Sequence, residues 1–299
     1  MFHGSIVALV TPMNDHGKID FEAYQRLIDL HLSSATNCIV VAGTTGESAS
    51  LSQSEFCQLL KLAVEQVDSK IPVLAGTGSP DTARAVSKTR LAAELGADGA
   101  LVVTPYYNRP MQSGLLAHYH TLADETSIPL VIYNVPSRTS VDIMPETVAE
   151  LAQRDEIVAI KEAVPDPQRI SALVSLCGDS LNVLSGDDPS CLESMRLGAK
   201  GVVSVAANVA PERFQAMCRY ADENNWAAAL EIDDTLRHLY GILALEANPI
   251  PVKYALYRLG FCGSGIRLPL LPLSQKYHAQ LEQGLHELGL VRNDWNNKT

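Results

Sequence analysis

The stretch CIVVAGTTGE, Cys38–Glu47, shows the pattern that decides the fold. Its first half is a continuous run of small and branched apolar residues, and its second half is a turn rich in glycine and threonine. A strand that is buried on both faces has this continuous rather than alternating pattern, and such strands occur in parallel sheets. The stretch therefore predicts a buried parallel strand followed by a loop.

Seven further runs along the chain share this pattern. The eight runs are Ser5–Pro12, Cys38–Glu47, Ile71–Gly78, Gly99–Tyr107, Ile128–Pro136, Ile157–Ala163, Asn182–Asp188 and Gly201–Asn208. They recur at roughly 20–35 residues, which is the size of one β–α unit. Eight such units predict a (β/α)8 TIM barrel over residues 1–208. A doubly wound open sheet is the alternative, but no G-x-G-x-x-G turn follows the first run.

Apolar residues at three- and four-residue spacing predict helices between the runs. These helices cover Asp20–Ser34, Ser52–Val67, Asp81–Leu95, Gly114–Thr126 and Pro145–Gln153. Ser52 followed by Glu55 fits a capping box. Residues 209–299 predict a C-terminal α-helical domain that packs on the barrel. Its expected helices are Pro211–Glu223, Trp226–Glu246, Pro251–Leu259 and Pro272–Leu288.

Composition and charge exclude several classes of function. The formal net charge of -11 argues against nucleic-acid binding, which needs clustered lysine and arginine. The six cysteines form no C-x-x-C pair, so we expect reduced thiols rather than disulfides or a metal site. The sequence has neither a convincing signal peptide nor an apolar run long enough for a membrane span, and a cytoplasmic location is expected.

Lys161 is the first candidate for chemistry, because a barrel of this kind carries its active site at the carboxyl ends of its strands. Lys161 follows IVAI without a polar break, and a desolvated neutral amine at that position can attack a ketone. Tyr133 ends the preceding run and can exchange protons with the adduct. Two alternatives stay open: Lys161 pairs with a carboxylate such as Glu162, or Tyr133 only packs at the barrel mouth.

Two further segments at the same end of the barrel suit carboxylate groups. The glycines of GTTGES, Gly43–Ser48, let the backbone approach a ligand, and the N–H groups and threonine hydroxyls are donors. Arg138 in NVPSRTS carries a guanidinium group, which suits a second carboxylate. A plain β–α turn and a solvated loop arginine are the respective alternatives.

Seven motifs occur in an order that resembles the dihydrodipicolinate synthases. They are GSIVALVTPM, GTTGES, VTPYYNRP, YNVPSRT, IKEA, LSGDD and NPIPVK, and the likeness covers nearly the whole chain. The family lies in the pyruvate-dependent Schiff-base aldolase superfamily, which also holds N-acetylneuraminate lyase. The resemblance implies a lyase of lysine and diaminopimelate biosynthesis that condenses pyruvate with aspartate semialdehyde and needs no metal or organic cofactor.

The same resemblance implies roles for individual residues. Lys161 would form the imine with pyruvate, and Tyr133 would be the proton donor and acceptor. Thr44 would link Tyr133 to Tyr107, which a neighbouring subunit would supply; a tetramer, formed as a dimer of dimers, is the expected assembly. The implied substrate-binding residues are Thr45 and Val203 for pyruvate, and Arg138, Gly186 and Asp187 for aspartate semialdehyde.

A lysine-binding site at the dimer interface regulates some members of the family, and here it departs from their pattern. Ser48, Ala49 and Tyr106 match it, whereas Gln53, Phe56, Pro80 and Arg84 do not. Arg84 stands where glutamate occurs, so its cation would repel the ammonium group of lysine. We therefore expect weak or absent inhibition by lysine.

Two other functions compete with the synthase. A sibling aldolase such as N-acetylneuraminate lyase would share Lys161 and Tyr133, but Arg138 favours the synthase because a sugar-acid aldolase has no need of that carboxylate contact. A non-catalytic 2-oxo-acid sensor would have lost the lysine or the tyrosines, which this sequence retains.

Overall fold

Eight parallel strands form a closed barrel in the computed structural model, which describes residues 2–290. The strands are β1 Gly4–Ala8, β2 Cys38–Val41, β3 Val73–Gly76, β4 Gly99–Val103, β5 Leu130–Asn134, β6 Ile157–Glu162, β7 Asn182–Ser185 and β8 Gly201–Ser204. Each strand pairs with the next along the chain, and β8 closes the barrel against β1. Seven of the strands lie within their apolar runs, and β1 begins one residue before its run, at Gly4. The predicted (β/α)8 barrel is confirmed.

Twelve α-helices accompany the strands in the described residues. They are α1 Phe21–Ser33, α2 Gln53–Val67, α3 Thr82–Glu94, α4 Gln112–Glu125, α5 Pro136–Thr139, α6 Pro145–Leu151, α7 Pro167–Cys177, α8 Cys191–Arg196, α9 Pro211–Asp222, α10 Trp226–Leu243, α11 Ile250–Arg258 and α12 His278–Glu287. Ser52 caps α2 with Glu55 in the predicted capping box. Between residues 2 and 290, no helix has the length and apolar character needed to cross a bilayer.

The helix predictions were wrong in two respects. Helices α5, α7 and α8 were not predicted; α7 begins after a proline-rich turn, where Asp166 caps it and Pro167 takes its first position. The last helix was predicted from Pro272, but α12 begins only at His278, because a short 3-10 turn at Gln275–Tyr277 precedes it.

The core has two layers, one inside the barrel and one between the strands and the helices. Inside the barrel, Ile6, Val40 and Leu184 pack with Tyr133 and Val203. The outer layer extends to the C-terminal helices, because apolar residues of these helices and of the barrel belong to one packed cluster. The members that show this are Val7, Ile28, Leu236, Leu239 and Leu281.

The seam between β8 and β1 is held by Asn208 as well as by strand pairing. The Asn208 amide donates to the carbonyls of Ala8 and Val205, and its Oδ1 accepts from the N–H of Val10 at 3.1 Å. Helix α9 follows this residue and packs against β1 and α10. The division of the chain at residue 208 stays a prediction, and residues 291–299 of the predicted C-terminal domain lie outside the described residues.

Candidate active site

Lys161 and Tyr133 lie side by side inside the barrel. Their positions are paired in the register of β5 and β6, which points both side chains to the same face. The Lys161 Nζ lies 4.2 Å from the centroid of the Tyr133 ring, and the two residues are 5% and 7% exposed. An amine and a phenol are thus adjacent in a site almost closed to solvent.

Glu162 does not pair with Lys161, because consecutive residues of a strand face opposite sides. Its buried carboxylate points to the helix layer, where it accepts hydrogen bonds from Asn134 and the N–H of Val164. Arg169 Nε lies 3.7 Å from it. An ion pair between Lys161 and Glu162, the first alternative for this lysine, is therefore excluded.

Gly186 is the residue that leaves room for the Lys161 side chain. A Cβ atom at position 186 would lie 2.9 Å from Lys161 Cε and 3.0 Å from its Cγ. The neighbouring Asp187 accepts hydrogen bonds from the N–H and hydroxyl groups of Ser190. The glycine thus positions the loop after β7 directly against the lysine.

The loop after β2 reaches the same end of the barrel. Thr45 is buried, and its hydroxyl accepts a hydrogen bond of 3.0 Å from the Asn248 side chain. Thr44 is half-buried and lines the mouth of the site. Arg138, exposed in α5, donates to the backbone carbonyl of Asn248 at 3.2 Å. Asn248 therefore connects the two segments predicted to bind carboxylates, a role that the sequence interpretation missed.

A buried ion pair anchors that loop to the C-terminal helices. Glu47 has a left-handed backbone conformation, and its carboxylate pairs with Lys253 and accepts from the N–H of Arg267. Both side chains of the pair are almost fully buried. Lys253 is the last residue of the NPIPVK motif, which was noted in the sequence. The motif alone does not predict that Glu47 is its partner.

Tyr107 lies apart from this cluster. It is 92% exposed, and its φ of 73° is unusual for a residue other than glycine. Among residues 2–290, no hydrogen bond joins Thr44 to Tyr107 or to Tyr133. In the single chain, Tyr133 and Gly186 lie against Lys161. The predicted relay from Tyr133 through Thr44 to Tyr107 is not formed within it.

A cavity of about 660 Å³ opens at the barrel mouth and extends over α3. Besides Thr44 and Arg138, its walls contain four of the residues at the predicted lysine site: Ser48, Ala49, Arg84 and Tyr106. The other three lie elsewhere. Gln53 lines a separate surface depression, Phe56 is buried under Lys88, and Pro80 accepts a hydrogen bond from Asn108.

The charge of this cavity wall is mainly positive. Lys88 lies with its Nζ 4.5 Å from the Phe56 ring centroid, and burial lowers the pKa of this lysine to about 8. Arg84 and Arg267 line the same cavity. The wall therefore suits anions better than the ammonium groups of a free lysine.

The model of the dihydrodipicolinate synthetase family matches residues 1–288. The chain belongs to the dihydrodipicolinate synthetase family. A 4-hydroxy-tetrahydrodipicolinate synthase of Nitrosococcus oceani is 48% identical over 287 residues, which are 96% of this chain and 98% of the relative. As a member of this family the chain is an enzyme, and a relative of this similarity supports the synthase over a sibling aldolase or a sensor.

Solved structures of the dihydrodipicolinate synthetase family agree with the fold. The chloride-inhibited synthase of Acinetobacter baumannii, complexed with pyruvate, has a TM-score of 0.96 and 42% identity, covering 97% of this chain and 100% of that one. Another, with a TM-score of 0.95 and 41% identity, covers 97% and 98% and is described as the first monomeric variant of the synthase. Members of the family are therefore ordinarily oligomers.

Proposed function

We propose that Lys161 forms a Schiff base with pyruvate and that the chain condenses it with aspartate semialdehyde, as a 4-hydroxy-tetrahydrodipicolinate synthase. The Lys161 amine attacks the keto carbon, and loss of water gives the imine. Removal of a methyl proton gives the enamine, whose carbon attacks the aldehyde. The amine of the second substrate then cyclises onto the imine carbon and releases Lys161.

The observation that carries this proposal is the placement of Lys161 against Tyr133. A phenol beside the amine can give a proton to the departing hydroxyl of the carbinolamine and take protons in later steps. Their low exposure keeps bulk water from the imine. The carboxylate of Glu162, which points to the helix layer, leaves the amine of Lys161 facing Tyr133.

The substrate carboxylates are proposed to bind at two places on the barrel mouth. Thr45 donates to the carboxylate of pyruvate, while Val203 packs against its methyl side from β8. Arg138 binds the carboxylate of aspartate semialdehyde near Gly186 and Asp187. The connection of Thr45 and Arg138 through Asn248 supports this proposal, because it fixes the spacing between the two carboxylate positions.

Tyr107 is proposed to complete the site of a second copy of the chain. Its exposure and its left-handed backbone present the phenol away from its own barrel. In a dimer it would reach Thr44 of the other subunit and extend the proton path from Tyr133, and two such dimers would form a tetramer. We also propose that the enzyme acts in the cytoplasm, in lysine and diaminopimelate biosynthesis.

The first test is to trap the adduct with pyruvate and borohydride and to map it by mass spectrometry. We expect a mass increase on the Lys161 peptide, none in Lys161→Met, and an unchanged yield in the matched surface variant Lys200→Met. A folded wild-type protein without an adduct would overturn the proposal.

The second substrate is tested separately. Pyruvate consumption should depend on aspartate semialdehyde, and cleavage of N-acetylneuraminate should not occur. Cleavage of N-acetylneuraminate without condensation would favour the sibling aldolase.

A further inference from the structure

A polar cluster lies behind the active site, between the barrel and α7. Its members are Asn134 on β5, Glu162 on β6, Asp142 after α5, and Arg169 on α7. Asn134 and Glu162 are 0% and 1% exposed, and the Arg169 side chain is 9% exposed. Because buried polar groups are costly unless they are paired, a cluster of this size calls for an explanation.

The hydrogen bonds to the carboxylate of Glu162 all come from donors. Its Oε1 accepts from the N–H of Val164 at 2.8 Å, and the Asn134 amide donates to Oε1 and Oε2 at 3.1 and 3.0 Å. Arg169 Nε is 3.7 Å from Oε2. An ionised carboxylate accepts at both oxygens, whereas a protonated one directs a hydrogen toward one of these donors. The hydrogen bonds therefore fit the charged form.

The cluster continues to the segment after α5. The Asn134 amide donates to Asp142 at 2.8 Å, and its Oδ1 accepts from the N–H of Ile143. Arg169 forms an ion pair with the same Asp142. Four side chains thus connect the ends of two barrel strands to a loop and to a helix.

The two barrel residues of the cluster are the direct successors of the two reacting groups. Tyr133 pairs with Lys161 in the register of β5 and β6, and Asn134 pairs with Glu162 one step later. We propose that Glu162 is a positioning residue: through Asn134 and Arg169 it fixes the ends of β5 and β6, and so holds Lys161 and Tyr133 at the separation that imine formation requires. This inference rests on the proposed function of Lys161.

Protonation of Glu162 provides a way to test this role. Burial raises the pKa of Glu162 to about 7, against the opposing effects of Asn134, Val164 and Arg169. The charged groups that face it are Arg169 from α7 and Asp142 from the loop, and Asp142 raises the pKa further. The cluster is therefore complete above neutral pH and loses its charged acceptor below it.

The experiment measures the rate of pyruvate adduct formation between about pH 6 and 9 in wild type and in Glu162→Gln. The glutamine places an amide donor opposite Asn134 and Arg169, so we expect an adduct rate about tenfold lower above neutrality, which corresponds to a small change in the placement of the amine. In wild type the adduct rate should change near neutral pH, where Glu162 titrates. This inflection should disappear in Glu162→Gln, while any change in the rate at more alkaline pH should remain. Glu156→Gln, a matched change beside the other end of β6, should leave both the rate and the inflection unchanged.

A second variant tests the role if Glu162→Gln does not fold. Asp142→Asn keeps the acceptor for Asn134 but removes the negative charge that raises the pKa of Glu162, so the inflection should move to lower pH. A wild-type protein without an adduct overturns the proposed function together with this inference. If wild type forms the adduct, two results overturn this inference alone. One is a rate and an inflection in Glu162→Gln equal to those of wild type, and the other is an inflection in Asp142→Asn at the wild-type pH.

Discussion

Replacing Gly186 by alanine tests the contact that gives Lys161 its room. The added methyl group would lie 2.9 Å from Lys161 Cε, and it would also lie 3.0 Å from the Cβ of Ala163. Carbon atoms pack at about 3.5–4.0 Å, so the end of the lysine must move by about 0.5–1 Å. A misplacement of about 1 Å costs roughly 100-fold in rate, and we expect adduct formation to fall by about 10- to 100-fold.

The assay is the initial rate of borohydride-trapped adduct with pyruvate, read by intact mass. The end of the lysine side chain is flexible and can yield, whereas the Cβ of Ala163 moves only with the backbone, so the thermal unfolding midpoint of Gly186→Ala should fall slightly while the protein stays folded. Gly241→Ala is the matched control, because a Cβ at position 241 meets no atom within 4 Å. A wild-type adduct rate in folded Gly186→Ala would refute the argument that this glycine sets the position of the amine.

Three further predictions concern stability and regulation. Lys253→Met leaves the buried Glu47 carboxylate without its cation and should lower the free energy of unfolding, measured by chemical denaturation, by about 3–5 kcal/mol. Lysine in the low millimolar range should leave the initial rate of condensation unchanged in a dose–response assay, because Arg84 lines the cavity where the ammonium group would bind. Burial lowers the pKa of His31 to about 3 and that of His118 to about 4. The unfolded chain therefore binds more protons below about pH 6.5, and each histidine should cost about 1.4 kcal/mol of stability per pH unit as the pH falls toward its folded value, measured by unfolding at several pH values.

Each of these predictions has a control. If the ion pair is responsible, Glu47→Gln combined with Lys253→Met should cost less than the sum of the single changes. Dose-dependent inhibition by lysine would contradict the argument from Arg84. For acid stability, His31→Gln should flatten the pH dependence by the share of one histidine, and an unchanged slope would show that this imidazole is not the cause.

The barrel could be predicted because its signal is local. A strand buried on both faces needs an uninterrupted apolar run, and seven of the eight runs contain their strand, while β1 begins one residue before its run. The missed helix α7 has a regular apolar face at Ile170, Leu173 and Cys177, but Pro165 and Pro167 mark its start as a turn. The end of α12 was predicted well, while its start was not, since apolar spacing continues through the preceding 3-10 turn.

The same distinction applies to the candidate site: its local features could be predicted from the sequence, and its contacts between distant positions could not. Lys161 and Tyr133 follow from strand ends, whereas the pairing of Lys161 with Glu162 stayed open until β6 was seen to include both residues, which alternation then places on opposite faces. The pairing of Glu47 with Lys253 joins positions 206 residues apart, and no local pattern carries that information. The same holds for Asn248 and Thr45, which are 203 residues apart.

The seam between β8 and β1 has a consequence for synthesis on the ribosome. Asn208 reaches Val10 across 198 residues, so the first strand emerges long before its second neighbour exists. Until then one edge of β1 offers unpaired backbone groups, which is a hazard for aggregation. The Gly43–Ser48 loop gains its contacts later still, because Glu47 binds Lys253 and the N–H of Arg267, and both residues lie in the last fifth of the chain. During synthesis, Lys161 is therefore in place well before the Gly43–Ser48 loop gains these contacts, so under the proposed function the active site is completed only after Arg267 has been added.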